Sequence, residues 1–217
     1  AIRKLRADGA TELIAGGSPG FAGDGGPALA ALLNAPQGMA IDRAGNLFFA
    51  DQANHRIRKI TPAGIISTVA GTGNGGGYGG DGGPGAAANL NIPISIVLDG
   101  AGALLISDFG NNRIRKLGPD GLITTIAGTG ASDNQGDGGP ATSAQLAGPA
   151  DLARDASGNL YIATGRLVRK VTPQGTITTF AGGGSEYGAE GAPATSVDLG
   201  GVAGLAFDAA GILYLSD

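Results

Sequence analysis

Several residue types that mark a particular chemistry are absent from this chain or nearly so. Cysteine and tryptophan do not occur in its 217 residues, and methionine and histidine occur once each, as Met39 and His55. The lack of cysteine excludes disulfides and thiolate metal sites, although it leaves the cellular compartment open. A single histidine also excludes a zinc site built from several imidazoles.

Long apolar runs and an excess of positive charge are missing as well. No stretch of about 18 consecutive apolar residues occurs, so the sequence predicts no membrane span. The chain has 14 Lys and Arg against 18 Asp and Glu, which gives a formal charge of −4. Because a phosphate backbone is bound by clustered cations, nucleic acid is not an expected partner. Hydrophobic residues make up 42% of the chain, which argues against disorder.

The dominant feature that is present is a repeat that runs through the whole chain. A triplet of a β-branched residue, Arg and Lys returns at steps of 55, 57 and 54 residues. Its four copies are Ile2-Arg3-Lys4, Ile57-Arg58-Lys59, Ile114-Arg115-Lys116 and Val168-Arg169-Lys170. A period of this length indicates a stacked or radial repeat architecture. We expect residues 1–217 to form a single domain or part of one, with repeat boundaries near residues 36, 93, 149 and 202.

Each repeat predicts four short strands joined by tight turns. In the copy that begins at Pro36, strands are expected at residues 38–41, 47–50, 56–60 and 65–69. The turns between them carry Asp, Pro and Gly at the positions that β-turns favour. Four antiparallel strands in a unit of about this length form the blade of a β-propeller, so the predicted fold class is all-β.

A glycine-rich crossover follows the fourth strand and leads into the next repeat. Its motif is Gly-Asp-Gly-Gly-Pro at residues 23–27, 80–84 and 136–140, and it is degraded to Ala-Glu-Gly-Ala-Pro at 189–193. Pro followed by a run rich in Ala predicts a short helical turn. We expect the aromatic residues near the crossover tips to hold these loops by packing. These residues are Phe21, Tyr78 and Tyr187.

These motifs resemble NHL repeats. The resemblance rests on Pro-x-Gly at 36–38, Asp-x-x-Gly-Asn at 42–46 and Asn-x-Arg-Ile-Arg-Lys at 54–59. The run Gly-Asp-Gly-Gly-Pro-Ala is typical of a long-repeat subgroup that is similar to bacterial secreted NHL proteins and to the propeller of teneurins. The resemblance implies a β-propeller of NHL-type four-stranded antiparallel blades, here as three whole blades plus two half blades.

The same resemblance implies a non-catalytic interaction platform. It favours an extracellular or cell-envelope location, in a larger secreted or cell-surface protein, with an unknown protein, glycan or small ligand as the partner. We expect no catalytic residue, no cofactor and no metal site. One alternative is a hydrolase or lyase, similar to lactonases, with a metal in the central channel. Another is a purely structural repeat module.

Two pairs of charged residues recur at the same place in successive repeats. Asp51 is followed by Arg56, and Asp108 is followed by Arg113. In the third copy both charges are replaced together, by Thr164 and Leu167. The joint loss favours a structural ion pair in each of the first two copies.

Two charged residues, Asp151 and Arg154, lie on the predicted first strand of the third copy. Asp151 takes the place of glycine or serine in the other copies, and Arg154 takes the place of an apolar residue. The two side chains either compensate one another or line the mouth of the channel, so they are candidate ligand contacts.

The remaining acidic residues and the histidine favour structural roles. The crossover acids and the turn acids each begin or lie in a glycine turn, where a carboxylate accepts local N–H bonds. His55 replaces Asn112 of the next copy, which favours a polar loop residue. The crossover acids are Asp24, Asp81, Asp137 and Glu190, and the turn acids are Asp42, Asp99, Asp155 and Asp208.

The repeat begins at a third strand and stops after a second strand. We expect an arc that belongs to a longer protein. Two alternatives are a pair of chains that forms an eight-blade ring and a single chain that closes into four blades. An open arc exposes strand edges, so self-association through these edges is expected.

Overall fold

The computed structural model describes residues 1–185 and 190–217, which contain sixteen strands. Tyr187, which was expected to pack at a crossover tip, lies outside the described residues. The strands are β1 (Ile2–Leu5), β2 (Thr11–Ala15), β3 (Pro36–Ile41), β4 (Leu47–Asp51), β5 (Arg56–Ile60), β6 (Ile66–Ala70), β7 (Pro93–Leu98), β8 (Leu104–Asp108), β9 (Arg113–Leu117), β10 (Ile123–Ala127), β11 (Pro149–Arg154), β12 (Leu160–Thr164), β13 (Leu167–Val171), β14 (Ile177–Gly182), β15 (Gly204–Phe207) and β16 (Leu213–Ser216).

These strands form three four-stranded and two two-stranded sheets, all antiparallel and paired in sequential order. The four-stranded sheets are β3–β6, β7–β10 and β11–β14, and the two-stranded sheets are β1–β2 and β15–β16. The arrangement confirms the prediction of three whole blades and two half blades. The first strand of each whole blade begins at a proline, and β3 begins two residues earlier than the sequence pattern predicts.

Single 3-10 turns interrupt the loops at two recurring places. One follows the crossover proline, which confirms the predicted helical turn. These turns are Ala28–Ala30, Gly85–Ala87, Ala141–Ser143 and Ala194–Ser196. A second kind, Gln52–Asn54 and Phe109–Asn111, joins the second strand to the third in the first two whole blades. Each of these ends at a residue with positive φ, 54° at His55 and 52° at Asn112.

The hydrophobic core is divided into layers between successive sheets. Ala50 and Ile57 of the first whole blade pack with Ile96 and Ile106 of the second. Equivalent clusters fill the other three gaps between neighbouring sheets. The first strands also touch in succession, since β3 contacts β7, β7 contacts β11 and β11 contacts β15. This wedged, radial packing is the propeller architecture.

The crossover that precedes each of the three whole blades covers the outer edge of that blade. The N–H of Gly25 donates to the carbonyl of Ile66 at 2.8 Å, and the N–H of Ile66 donates to the carbonyl of Gly26 at 3.0 Å. The N–H of Ala28 bonds to the carbonyl of Gly64 at 2.8 Å. The crossover therefore satisfies backbone groups of the edge strand that would otherwise be open for pairing.

Candidate functional site

A buried arginine lies at the centre of every whole blade. Arg58, Arg115 and Arg169, the middle residues of the repeated triplet, are 0% exposed. Strand alternation explains this burial, because it turns the middle residue away from the lysine that follows it. A guanidinium without solvent needs several acceptors, and the surrounding loops supply them.

Arg58 joins three segments that are distant in sequence. Its Nη2 bonds to Asp24 Oδ1 at 2.7 Å and to the carbonyl of Ala22 at 3.1 Å. Its Nη1 bonds to the carbonyl of Leu32 at 2.9 Å and lies 3.4 Å from Asp51 Oδ2. The crossover acid is thus a clamp between the crossover and the third strand of the following blade, and its role extends beyond the local turn that the sequence indicated.

Arg115 repeats this arrangement in the second whole blade. It pairs with Asp81 at 2.6 Å and with Asp108 at 3.3 Å. Burial raises the pKa of Asp108 above its ordinary value and outweighs the hydrogen bonds that favour its ionised form. Burial acts in the same direction at Asp81, but there the hydrogen bonds from Tyr78, Thr125 and Arg115 prevail and lower its pKa.

The predicted ion pairs Asp51–Arg56 and Asp108–Arg113 are wrong. Asp51 faces Arg58 and Asp108 faces Arg115. In each blade this buried arginine lies two residues after the predicted partner. The Arg56 guanidinium instead donates to the carbonyls of Thr72 and Asn54. The Asn54 amide also donates to Asp51 Oδ2 at 2.8 Å, so both predicted partners contact the same turn without pairing.

The third whole blade keeps the arginine but loses one acid. Thr164 occupies the position of Asp51, and the shorter loop lacks the 3-10 turn found in the other blades. Arg169 retains its pair with the crossover acid Asp137 at 2.6 Å. Thr164 and Leu167 stand at the positions of Asp51 and Arg56 in this copy. The joint loss of these two charges therefore follows from the loss of the turn that both of them contact.

Aromatic residues at two crossover tips carry stacked arginines. The Arg56 guanidinium lies 3.6 Å from the centroid of the Phe21 ring, and that of Arg113 lies 3.7 Å from the Tyr78 ring. Tyr78 also donates its hydroxyl to Asp81 at 2.7 Å. Phe21 and Tyr78 remain 41% and 42% exposed, so the expected packing of these tips leaves ring surface open to a partner. We call these two ring–arginine pairs the stacked rim.

Asp151 and Arg154 link the first strands of neighbouring blades. Asp151 accepts the Ser95 hydroxyl at 2.7 Å on one carboxylate oxygen and the Leu205 N–H at 2.7 Å on the other. Arg154 reaches the carbonyls of Leu98 and Gly158, both at 3.4 Å. The polar groups of both residues are thus used in hydrogen bonds within and between blades. A ligand role for either residue stays a prediction.

The turn acids and His55 have the structural roles that the sequence indicated. Asp42 accepts the Asn46 N–H at 2.8 Å and the Asn46 side-chain amide at 2.7 Å. His55 Nδ1 accepts the Ile92 N–H at 3.0 Å. Within residues 1–185 and 190–217, no three His, Cys, Asp or Glu side chains are grouped to hold a metal ion. No helix in this part of the chain has the length and apolar character of a membrane span.

Comparison with known proteins identifies the family. Residues 9–75 and 129–198, more than half of the chain, match the family described as the Teneurin NHL domain. The chain belongs to this family. Teneurin-3 of Danio rerio is 31% identical to this NHL domain over 165 residues, which covers 69% of the chain and 6% of the relative. The chain thus spans a small fraction of the length of that relative.

Solved structures share the propeller fold of this NHL domain. Virginiamycin B lyase from Staphylococcus aureus is 16% identical with a TM-score of 0.57, and the match covers 98% of this chain and 55% of the lyase chain. A gluconolactonase from Xanthomonas campestris is also 16% identical with a TM-score of 0.59, over 85% of this chain and 54% of the other. At this identity the likeness concerns the fold alone.

Proposed function

We propose that this NHL domain is a non-catalytic interaction module that binds a protein partner through the stacked rim. Membership in the teneurin NHL family is the observation that carries the proposal. The stacked rim supplies a surface of suitable chemistry, because exposed aromatic rings with adjacent arginines are enriched where protein interfaces are strongest. We place the module outside the cell, in a larger surface or secreted protein, on the basis of the NHL resemblance.

The stacked rim is also preorganised for binding. Arg56 and Arg113 are held by backbone carbonyls, and the Asn54 and Asn111 amides donate to the crossover carbonyls of Gly20 and Gly77. Because these loops are already ordered by hydrogen bonds, binding would cost little additional conformational entropy.

The test is a binding screen of the purified chain against extracellular protein domains and a glycan array. We expect a saturable protein ligand whose affinity falls at least about tenfold in Phe21→Ala/Tyr78→Ala. Phe180→Ala is the matched control, because Phe180 is a similarly exposed aromatic residue on β14, away from both crossover tips. A ligand that binds the double variant and wild type equally would overturn the role of the rim. A glycan as the ligand would overturn the choice of a protein partner.

The enzymatic alternative is tested separately with aldonolactones as substrates. The expected result is no hydrolysis above background with added Ca²⁺ or Zn²⁺. Turnover that requires a divalent ion and is lost in Asp151→Asn would replace the non-catalytic proposal with a lactonase-like one.

A further inference from the structure

We propose that the groove between the second and third whole blades binds a small organic carboxylate that carries an apolar group. The groove has a volume of about 420 Å³, within the range of roughly 300–1,000 Å³ that is typical of small-molecule sites. It lies beside the turns that join first to second and third to fourth strands. The stacked rim lies at the opposite ends of the strands, so the two sites are separate.

Arg154 supplies a positive charge that is specific to this groove. It is half-buried and ends β11, whereas the residues that end the other first strands, Ile41, Leu98 and Phe207, are apolar. Its guanidinium donates to the carbonyls of Leu98 and Gly158 at 3.4 Å, beyond the usual range of roughly 2.7–3.2 Å. Within residues 1–185 and 190–217 it makes no ion pair. A carboxylate is a stronger acceptor than a carbonyl and matches the fork of an arginine.

The other charges of the groove balance one another. Lys116 and Asp99 both line it, and Lys116 Nζ lies 2.9 Å from Asp99 Oδ2. One cation thus faces one anion within this pair. Among the described residues that line the groove, Arg154 is the cation that remains, so the groove is complementary to a ligand with one negative charge.

An apolar floor accompanies this charge. Leu105, Leu160 and Val171 line the groove and belong to the core layer between the two blades. An apolar lining with a single cation holds the apolar part of a ligand by contact and fixes its orientation through the charge. The combination therefore favours a carboxylate with an apolar group over a bare inorganic anion.

The preceding gap between blades contains an equivalent groove without this chemistry. It has a volume of about 370 Å³ and lies between the first and second whole blades. Thr142 and Thr172 line the proposed site, whereas their counterparts in the preceding groove are Ala86 and Gly118. The repeat thus produces a hollow at both gaps, and the added hydroxyls and Arg154 are specific to the second.

The test is a nuclear magnetic resonance titration of the isotope-labelled chain with phenylacetate, which has one carboxylate and one apolar ring. We expect saturable shifts of the Gly158 and Gly175 amide signals, with a dissociation constant of about 1 mM or tighter. The Gly102 and Gly121 signals, at the equivalent positions of the preceding groove, should stay unchanged. Phenylacetamide lacks the charge and acetate lacks the ring, so each should bind at least about tenfold more weakly.

A substitution at Arg154 tests the source of the charge. Arg154→Leu introduces the residue that the preceding repeat has at this place, Leu98, so the variant should fold. Its affinity for phenylacetate should fall at least about tenfold, because the carboxylate loses its cation. Lys59→Leu removes a cation from the preceding groove instead, and this control should bind phenylacetate as wild type does.

Several outcomes would overturn the proposal. These are shifts that do not saturate by about 10 mM phenylacetate, equal shifts at both grooves, wild-type binding of phenylacetamide or acetate as tight as that of phenylacetate, and equal affinity of Arg154→Leu and wild type. The comparison of acid and amide uses the unaltered chain, so it decides the question even if circular dichroism shows that Arg154→Leu has not folded. Loss of a protein ligand in Phe21→Ala/Tyr78→Ala concerns the stacked rim and leaves this result unaffected.

Discussion

Arg115 and Arg169 are equally buried, but Arg115 faces a second carboxylate and Arg169 does not. Arg115→Met would leave Asp108 buried beside an apolar side chain, and breaking such a pair costs about 3–5 kcal/mol. Arg169→Met leaves the neutral Thr164 at the equivalent place and should cost less. Urea unfolding followed by circular dichroism compares the two variants. Equal losses in the free energy of unfolding would contradict the role assigned to Asp108.

The crossover acid Asp137 makes stability depend on pH. Burial opposes its ionisation, yet hydrogen bonds from Thr179 and Arg169 outweigh burial and hold its pKa below the ordinary value. Its contribution to stability is therefore present above the unfolded pKa of about 3.9 and is lost as the pH falls through the lower folded value.

We expect Asp137→Asn to melt at a lower temperature near neutral pH and to lose less stability than wild type during acidification. Melting temperatures measured between about pH 6 and pH 2.5 test this, because the contribution of Asp137 begins to be lost as the pH falls below the unfolded pKa of about 3.9. Asp133→Asn, in the exposed part of the same crossover, should follow the wild-type profile. A wild-type acid profile in Asp137→Asn would remove Asp137 from the clamp.

The sequence predicted the partners of some of these side chains but not of others, and the difference has a physical reason. Turn acids such as Asp42 bond to groups four residues away, so local spacing identifies their role. The Arg58 clamp depends on Asp24, which is 34 residues away, and no local pattern reports that distance. The signal that could have found it is the invariance of the triplet arginine in the third copy, where Asp51 and Arg56 have both been replaced.

Among the elements, the strands were predictable and the crossover path was not. Alternation and turn residues are local signals, and they placed the four strands of each blade to within two residues. The bonds between the crossover and the edge strand join residues such as Gly25 and Ile66, which are distant in sequence. Glycine spacing predicts a loop there, whereas the edge-covering path depends on the three-dimensional position of the next blade.

Gly128, at the end of β10, tests the start of this crossover. Its φ is +92°, its N–H donates to the carbonyl of Ala141 at 2.9 Å, and an added Cβ would collide with the carbonyl oxygen of Asn112. We expect Gly128→Ala to lower the free energy of unfolding by at least about 1–3 kcal/mol, which is the cost of holding a residue with a Cβ in this strained backbone conformation. Urea midpoints measure the loss.

Gly100 is the control, because a Cβ added there would meet open space. Gly100→Ala should change the stability by less than about 0.5 kcal/mol. If both alanine variants unfold at the wild-type urea concentration, the crossover does not need a glycine at Gly128.

On the scale of the whole molecule, the radial order of the blades was predictable but the closure of the ring was not. A repeat fixes what each blade contacts, because every blade packs only on its neighbours. Within residues 1–185 and 190–217, the half blades β1–β2 and β15–β16 each pack against one neighbouring sheet, so the repeat alone does not predict how the ring closes.

Hydrogen exchange of the purified residues 1–217 compares the stability of the half blades with that of a whole blade without any substitution. A two-stranded sheet is marginal in water, so β1–β2 and β15–β16 should open at lower free energy than β8 and β9. We expect deuterium to enter Ile2–Leu5 and Leu213–Ser216 well before it enters Leu104–Asp108, as mass spectrometry of peptic fragments would show. Equal protection of the end strands and of β8 would contradict this order of stability.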